Sequence, residues 1–356
     1  MKRALSLFVC AVSIGCNNGA TSVDAGARDA AAPDAGLCPP AVDGGPTMSI
    51  AIFTAQHLDG IQGSPTFQSA TATATIPPGC WSNAILRLHQ VTHCTGHPPA
   101  GQNWPPLCDP YDRLAQVTLA DPRTTQLLLL DAVTPFGGES TWDQDVTDYL
   151  PALTGAHSFN VDIGVWADGA GMATGTMASH DIDVTLILTP GAPPHDVLSV
   201  QPLFHGGITP SNKSITAMFE APKGSLHGRI DFFTSGHGGN GNPPCDEFCQ
   251  KENVLSVDST ALYDDNPWVD CSDNCDQAPG KASCLGMTFD YTCKQNPTAC
   301  PASAVAPRSN WCPSKIIAPF ALDLPTSALT GQHTVDFTVL DVSGDFEVGL
   351  AAVFYK

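Results

Sequence analysis

Charge is scarce in this chain. Only 14% of its 356 residues are charged, and 15 Lys or Arg stand against 35 Asp or Glu, a net charge of −20. No basic block interrupts that acidity, which excludes nucleic acid and anionic membrane surfaces as partners. Long apolar runs are missing beyond the first residues, so no helix spans a membrane, and any membrane contact is through a lipid anchor. Helical periodicity is missing too: "VTDYLPAL" is the only weak candidate, and nothing exceeds two or three turns. No C-x-x-C pair occurs, and cysteine thiolates for zinc would compete with oxidation in an exported protein. The 11 histidines are scattered. His89 and His93 share a strand face but lie about 13 Å apart, too far to grip one copper ion. The glycine-rich "GHGGNG" is followed by no helix and is not a nucleotide loop. No cofactor or metal is expected, although the carboxylates of "DDNPWVDCSDNCD" leave calcium open despite the lack of EF-hand spacing.

What the chain does have is turn residues, 32 Gly and 31 Pro, between short β-branched and apolar runs. "TMSIAIFTA", "ATATATIP", "NAILRLHQVT" and "HDIDVTLIL" alternate as half-buried antiparallel strands do. A Pro/Gly-rich link, "TPGAPPHD" at 189–196, separates them from a second series that runs from "VLSVQPLF" to "FEVGLAAVFY". The expected fold is all-β, two β-sandwiches in series over residues 45–190 and 197–356. Lys2 and Arg3 before "ALSLFVCAVSI" read as an export signal over residues 1–15, and "SIGC" makes Cys16 the lipidated first residue of a surface lipoprotein. The usual pattern has Leu where Ser13 stands, so secretion after ordinary cleavage is the alternative. Residues 16–44 then form a lipid-anchored linker whose Ala/Asp/Gly-rich sequence cannot offset its ordering entropy. Of 14 cysteines, Cys10 lies in the signal and Cys16 would be acylated, which leaves 12, an even number as a fully oxidised exported chain requires.

One short stretch stands out. "PPCDEFCQK" (243–251) places Cys245 and Cys249 around Glu247. Four strand residues span roughly 13 Å, whereas disulfide-bonded Cα atoms lie about 4.4–6.8 Å apart. If the two pair, the segment is a tight turn. Such a turn is either a stability staple or a means of fixing Glu247.

At "CDPYDRLAQV" (108–117) and "CDEFC" (245–249) the chain resembles the bacterial peptide-N-glycosidase F family, secreted amidases that remove N-linked glycans from asparagine. A Cys-Asp-x-aromatic-Asp-Arg motif is matched by Cys108, Asp109, Tyr111, Asp112 and Arg113. A Cys-x-Glu-aromatic-Cys motif is matched by Cys245, Glu247, Phe248 and Cys249. "RSNWCP", Arg308 to Pro313, matches a third, and weaker echoes are "DVTDY" and two copies of "ALTG". The resemblance covers about residues 48–356. It implies two eight-stranded jelly rolls with the active site in the cleft between them, and a monomeric enzyme acting on N-glycoproteins or glycopeptides. It implies that Cys245 and Cys249 clamp Glu247, that Cys94 and Cys108 hold the loop bearing Asp112, and that Cys271 pairs with Cys312. Cys38 and Cys80 are further disulfide cysteines. Cys275, Cys284, Cys293 and Cys300 belong to an insertion at about 272–307, and they pair among themselves with a connectivity left open.

Amide hydrolysis needs an activated water, stabilisation of developing charge, and help for the leaving nitrogen, which two carboxylates can share without a metal. Such a pair repels, so one member is expected to retain a proton. Asp112 is placed at the scissile linkage and Glu247 beside it through water. Arg113 and Arg308 offer donor forks for sugar and carbonyl groups. Tyr111, Phe248 and Trp311 offer flat faces for sugar rings. Two departures stand against the family pattern. Its third acidic residue, two positions before a tryptophan, is Gly164 here, before Trp166; Asp162 and Asp168 share its strand parity and are candidate substitutes. Its Ser-Gly-Trp-Gly segment reads "SGHGG", which puts His237 at the sugar contact. The rival reading is a glycan-binding protein of the same fold whose chemistry has been lost.

Overall fold

The computed structural model describes residues 45–120, 125–238 and 245–356. The export signal, Cys16, the linker and Cys38 fall outside the described residues. Among those described, no helix is long and apolar enough to cross a membrane.

Strands β1 to β8 occupy Met48–Asp59, Ser69–Ile76, Trp81–Thr92, Leu114–Ala120, Leu127–Val133, Ser140–Asp145, Gly155–Ile163 and Ser179–Pro190. They form two four-stranded sheets, in the orders β1-β8-β3-β6 and β2-β7-β4-β5. Apart from the β4–β5 hairpin, consecutive strands thus alternate between sheets in a jelly-roll winding. The second half repeats the pattern. Strands β9 (Val197–Ile208), β10 (Ser214–Ala221), β11 (His227–His237), β12 (Asn253–Val257) and β13 (Thr260–Asp265) are joined by β16 (Phe320–Asp323), β17 (Gly331–Val339) and β18 (Asp345–Tyr355). Their sheets run β16-β11-β18-β9 and β10-β17-β12-β13. The weak helical candidate is a 3-10 turn at Thr147–Tyr149 leading into α1 (Leu150–Leu153).

Alternation explains the layers. Along β8 every second residue is buried, and Leu186 faces Leu86 across the β3–β8 ladder. The first core gathers Leu86, Leu88, Val117, Leu130, Phe159 and Val184; the second gathers Phe232, Phe337, Phe346, Val348 and Phe354. Strand β5 breaks the alternation and is buried throughout, because both of its faces are covered. One packs into the first core. The other meets β18, where Gly349 leaves room for Leu128: a Cβ there would lie 2.7 Å from its Cδ2. Ala351, Val353 and Tyr355 of β18 likewise belong to the first core, and the described residues form one compact unit.

Between β13 and β16 lies the cysteine-rich insertion. Strands β14 (Gln277–Cys284) and β15 (Met287–Cys293) form a hairpin that turns at Leu285 and Gly286, both at positive φ (52° and 74°), followed by α2 (Pro301–Ala304). The connectivity left open is Cys275–Cys293 and Cys284–Cys300. Cys94–Cys108, Cys245–Cys249 and Cys271–Cys312 pair as the resemblance implied. Cys80 is also disulfide-bonded. These bonds are in keeping with an extracellular protein.

A polar network sews the two halves together beneath the link. Arg229 donates to Asp231 at 2.7 and 3.1 Å and to Asp148 at 2.9 Å. The Tyr149 and Tyr355 hydroxyls donate to Asp231 and Asp148, both at 2.9 Å. Asp231 is only 3% exposed, so removing its cation strands a buried carboxylate. Arg229→Met is therefore expected to lower unfolding free energy by about 3–5 kcal/mol in urea titrations. A loss below about 1 kcal/mol would place the network among weak surface ion pairs.

Candidate active site in the cleft between the sandwiches

Two loops at equivalent places in the two jelly rolls face each other. One joins β3 to β4 and carries Asp112; the other joins β11 to β12 and carries Glu247. The first is tied by Cys94–Cys108 and by Asp109, which is wholly buried and grips Arg113 at 2.7 and 3.0 Å. Burial alone would raise the Asp109 pKa, but hydrogen bonds from His180 and Arg113 outweigh it and hold it below the usual carboxylate range. The second loop closes within five residues through Cys245–Cys249, with Cα atoms 5.4 Å apart. Its buried Asp246 accepts from the Ser343 N–H and hydroxyl, both at 2.8 Å, and from the Gly344 N–H. The Glu247 backbone is pinned on both sides: its N–H donates to Gly238 at 3.3 Å and its carbonyl accepts from Ser309 at 3.0 Å.

Arg308 is what joins the loops. Its side chain is wholly buried, yet its Nε donates to Glu247 Oε1 at 3.0 Å and its Nη2 lies 3.9 Å from Asp112 Oδ2. The remaining donors reach the Ala306 carbonyl at 2.9 Å and the Ser303 hydroxyl at 3.4 Å. The guanidinium lies between aromatic faces, 4.7 Å from the Trp311 ring centre and 5.0 Å from that of Phe248. One cation therefore serves two carboxylates. Burial, reinforced by the charge of Glu247, pushes the Asp112 carboxyl up to about 7 against the pull of Arg308 and Arg113. Burial raises Glu247 as well, opposed by its bond to Arg308. Asp112 Oδ2 is buried and has no hydrogen-bond partner among the described residues. The arrangement sets a proton-holding carboxyl with an unengaged oxygen beside an anchored carboxylate, which suits general acid–base chemistry near neutral pH.

Residues 208–346 match the family model for the C-terminal part of peptide-N-glycosidase F. The fold extends the likeness beyond that segment. PNGF-II aligns at a TM-score of 0.67 with 18% identity, over 86% of this chain and 65% of that one. Recombinant PNGase F aligns at 0.63 with 17% identity, over 87% and 96% of the two chains. PNGase F of Flavobacterium meningosepticum, described as a glycosylasparaginase, aligns at 0.63 with 16% identity over 88% and 96%. The fold of this chain is PNGase F-like. The chain spans about 65% of the length of PNGF-II, and no curated protein matches its sequence.

Within the PNGase F-like cleft, the expected residues separate into those that face it and those that support it. Tyr111 is 41% exposed and Phe248 half-buried, so both offer ring surface. Trp166 is 52% exposed and meets Phe67 edge-on. The arginines differ from expectation: Arg113 is engaged by Asp109 and Arg308 is wholly buried, so neither fork is free for a substrate. Trp311 also differs, being 4% exposed, with its N–H donated to the Gly236 carbonyl at 2.7 Å; it is the floor under Arg308 rather than a sugar platform. His237 stacks on Trp311 and pairs with Ser235 at 2.8 Å; burial, with Arg308 nearby, pushes it down to about 4. Asp168 is no substitute for the missing acid, because its carboxylate caps a turn by accepting from the backbone of Ala170, Met172 and Ala173. Asp162 lies on β7, raised by burial. At Gly164 a Cβ would meet open space.

A second cluster escaped the sequence reading. Glu347 on β18 lies 3.4 Å from His205 on β9, which reaches Gln116, and Gln116 donates to Asp131 on β5. Burial, helped by Asp345, pushes Glu347 up to about 7, and burial raises Asp131 as well. The available signal was a lone carboxylate inside each of the apolar runs "LLLLDAV" and "FEVGLAAVFY".

The raised Asp112 carboxyl has a stability consequence. The folded state prefers it protonated, so ionisation begins to cost stability above pH 3.8, and the cost is complete above about 7. Asp112→Asn is therefore expected to melt several degrees higher than the parent at pH 8 and at the same temperature near pH 3.5. Equal melting temperatures at pH 8 would mean that the carboxyl is not perturbed.

Proposed function

We propose that this protein is an exported amidase that hydrolyses the Asn–GlcNAc amide of N-glycoproteins or glycopeptides, releasing the glycan and leaving Asp. The observation that carries the reading is the Asp112–Arg308–Glu247 constellation, set on matching loops of a PNGase F-like fold. Asp112, with a pKa near 7 and one free oxygen, is the better base, since Glu247 is neutralised by Arg308. In the ionised form Asp112 takes a proton from water as the water oxygen attacks the side-chain carbonyl carbon. It then delivers that proton to the nitrogen as the C–N bond breaks. Glu247 orients the water from the second sandwich. Tyr111 and Trp166 present ring faces to the sugars.

The test is mass spectrometry of an N-glycopeptide after incubation with the purified protein. The expected products are free glycan and a peptide with Asp at the attachment site. A single GlcNAc left on the peptide would mean glycosidic cleavage. An unchanged glycopeptide that binds tightly would favour the glycan-binding reading, which the bare Gly164 position supports. Asp112→Asn is expected to abolish turnover and retain binding. The parent kcat/KM is expected to rise through about pH 7 as Asp112 ionises; a flat profile from pH 5.5 to 8.5 would remove Asp112 from the base role.

The disulfide clamp separates positioning from stability. Cys245→Ser with Cys249→Ser opens a loop of only a few residues, so unfolding free energy is expected to fall by about 1–3 kcal/mol. Turnover is expected to fall further, about 10- to 100-fold, because displacement of a catalytic group by about 1 Å is enough for such a loss. Normal turnover in a variant that melts much earlier would reduce the bond to a staple.

A further inference from the structure

The cysteine-rich insertion reaches across the cleft mouth to the first sandwich. The Phe136 N–H donates to Asn296 Oδ1 at 3.0 Å, and the Thr298 hydroxyl donates to the Pro110 carbonyl at 2.6 Å. The contact is close enough to demand glycine: a Cβ on Gly137, at φ +63°, would lie 2.5 Å from Thr298. Between this bridge and the two catalytic loops lies a cavity of about 670 Å³, walled by Trp104, Tyr111, Phe136, Phe248, Leu285 and Ala302. It is continuous with the candidate site. Tyr111 adjoins Asp112, Phe248 adjoins Glu247, and Ser303 in the same wall bonds Arg308.

We propose that this cavity is a subsite for an apolar side chain of the polypeptide next to the glycosylated asparagine. The inference rests on the amidase reading of the adjoining carboxylates. The wall's chemistry selects the occupant. Among the described residues no ionised side chain lines it, the Thr298 hydroxyl is already donated to Pro110, and the Ser303 hydroxyl is already met by Arg308. A sugar filling it would meet few hydrogen-bonding side chains for its many hydroxyls, whereas an aliphatic or aromatic side chain would lose only water. Leu285, 77% exposed at the hairpin turn, stands at the rim as an apolar lip. The insertion thus reads the protein part of the substrate, and Tyr111 stands at the boundary between this subsite and the glycan.

The experiment compares N-glycopeptides with one glycan and Phe, Leu or Ser at each position flanking the modified Asn. The parent protein is expected to show kcat/KM about 10- to 200-fold higher for Phe or Leu at one of those positions. Ala302→Trp, which fills the cavity, and Leu285→Glu, which charges its rim, are expected to erase the preference, so that each variant cleaves the Phe, Leu and Ser peptides at equal rates. Equal rates for all peptides with the parent protein, or a preference that survives both variants, would overturn the proposal. If no glycopeptide is cleaved, the amidase reading fails, and binding of the unglycosylated Phe peptide decides the subsite separately. Calorimetric binding by the parent and not by Ala302→Trp supports it; binding by neither or by both overturns it.

Discussion

A single buried guanidinium organises this molecule's cleft. Arg308 has no access to water, so its charge must be met inside the protein, and it is met by Glu247 and by the edge of Asp112. Two acids around one cation leave one negative charge uncompensated, which burial resolves by keeping a proton on Asp112. The aromatic faces of Trp311 and Phe248 enclose the cation and exclude solvent that would screen the pair. The perturbed carboxyl follows from that arrangement.

Holding such a centre on loops requires constraints beyond a hydrophobic core. Each loop of the candidate site has a disulfide and a buried aspartate near the carboxyl it presents: Cys94–Cys108 with Asp109, and Cys245–Cys249 with Asp246. The neighbouring aspartates differ in task. Asp109 is held ionised by Arg113 and His180, while Asp246 ties its turn to the start of β18. The short motifs "CDPYDR" and "CDEFC" are therefore self-contained devices in which one carboxylate anchors and the other is presented.

The insertion adds a third wall to the cleft without altering the jelly roll, because it enters between β13 and β16, after one sheet edge is complete and before the other resumes. Its two disulfides, Cys275–Cys293 and Cys284–Cys300, with Cys271–Cys312 at its base, substitute for a core too small to hold a hairpin by itself. Its contacts with Phe136 and Pro110 make it a bridge between the halves.

The all-β class and the two strand series on either side of residues 189–196 could be read from the sequence alone, whereas the loop with Asp112 was marked only by the family resemblance and the one with Glu247 by its cysteine spacing as well. Period-two alternation and a cysteine spacing of four are local properties that survive in one dimension. The roles of Arg308, Arg113 and Trp311 were not legible in that way. Whether a guanidinium meets a substrate or a buried carboxylate depends on which residues, distant in the chain, converge on it. The same holds for the Glu347–His205–Asp131 cluster, assembled from three strands, and for the cysteine connectivity of the insertion. Only the tertiary structure decided these, because burial and charge neutralisation are properties of neighbourhoods in space, and sequence order does not specify them.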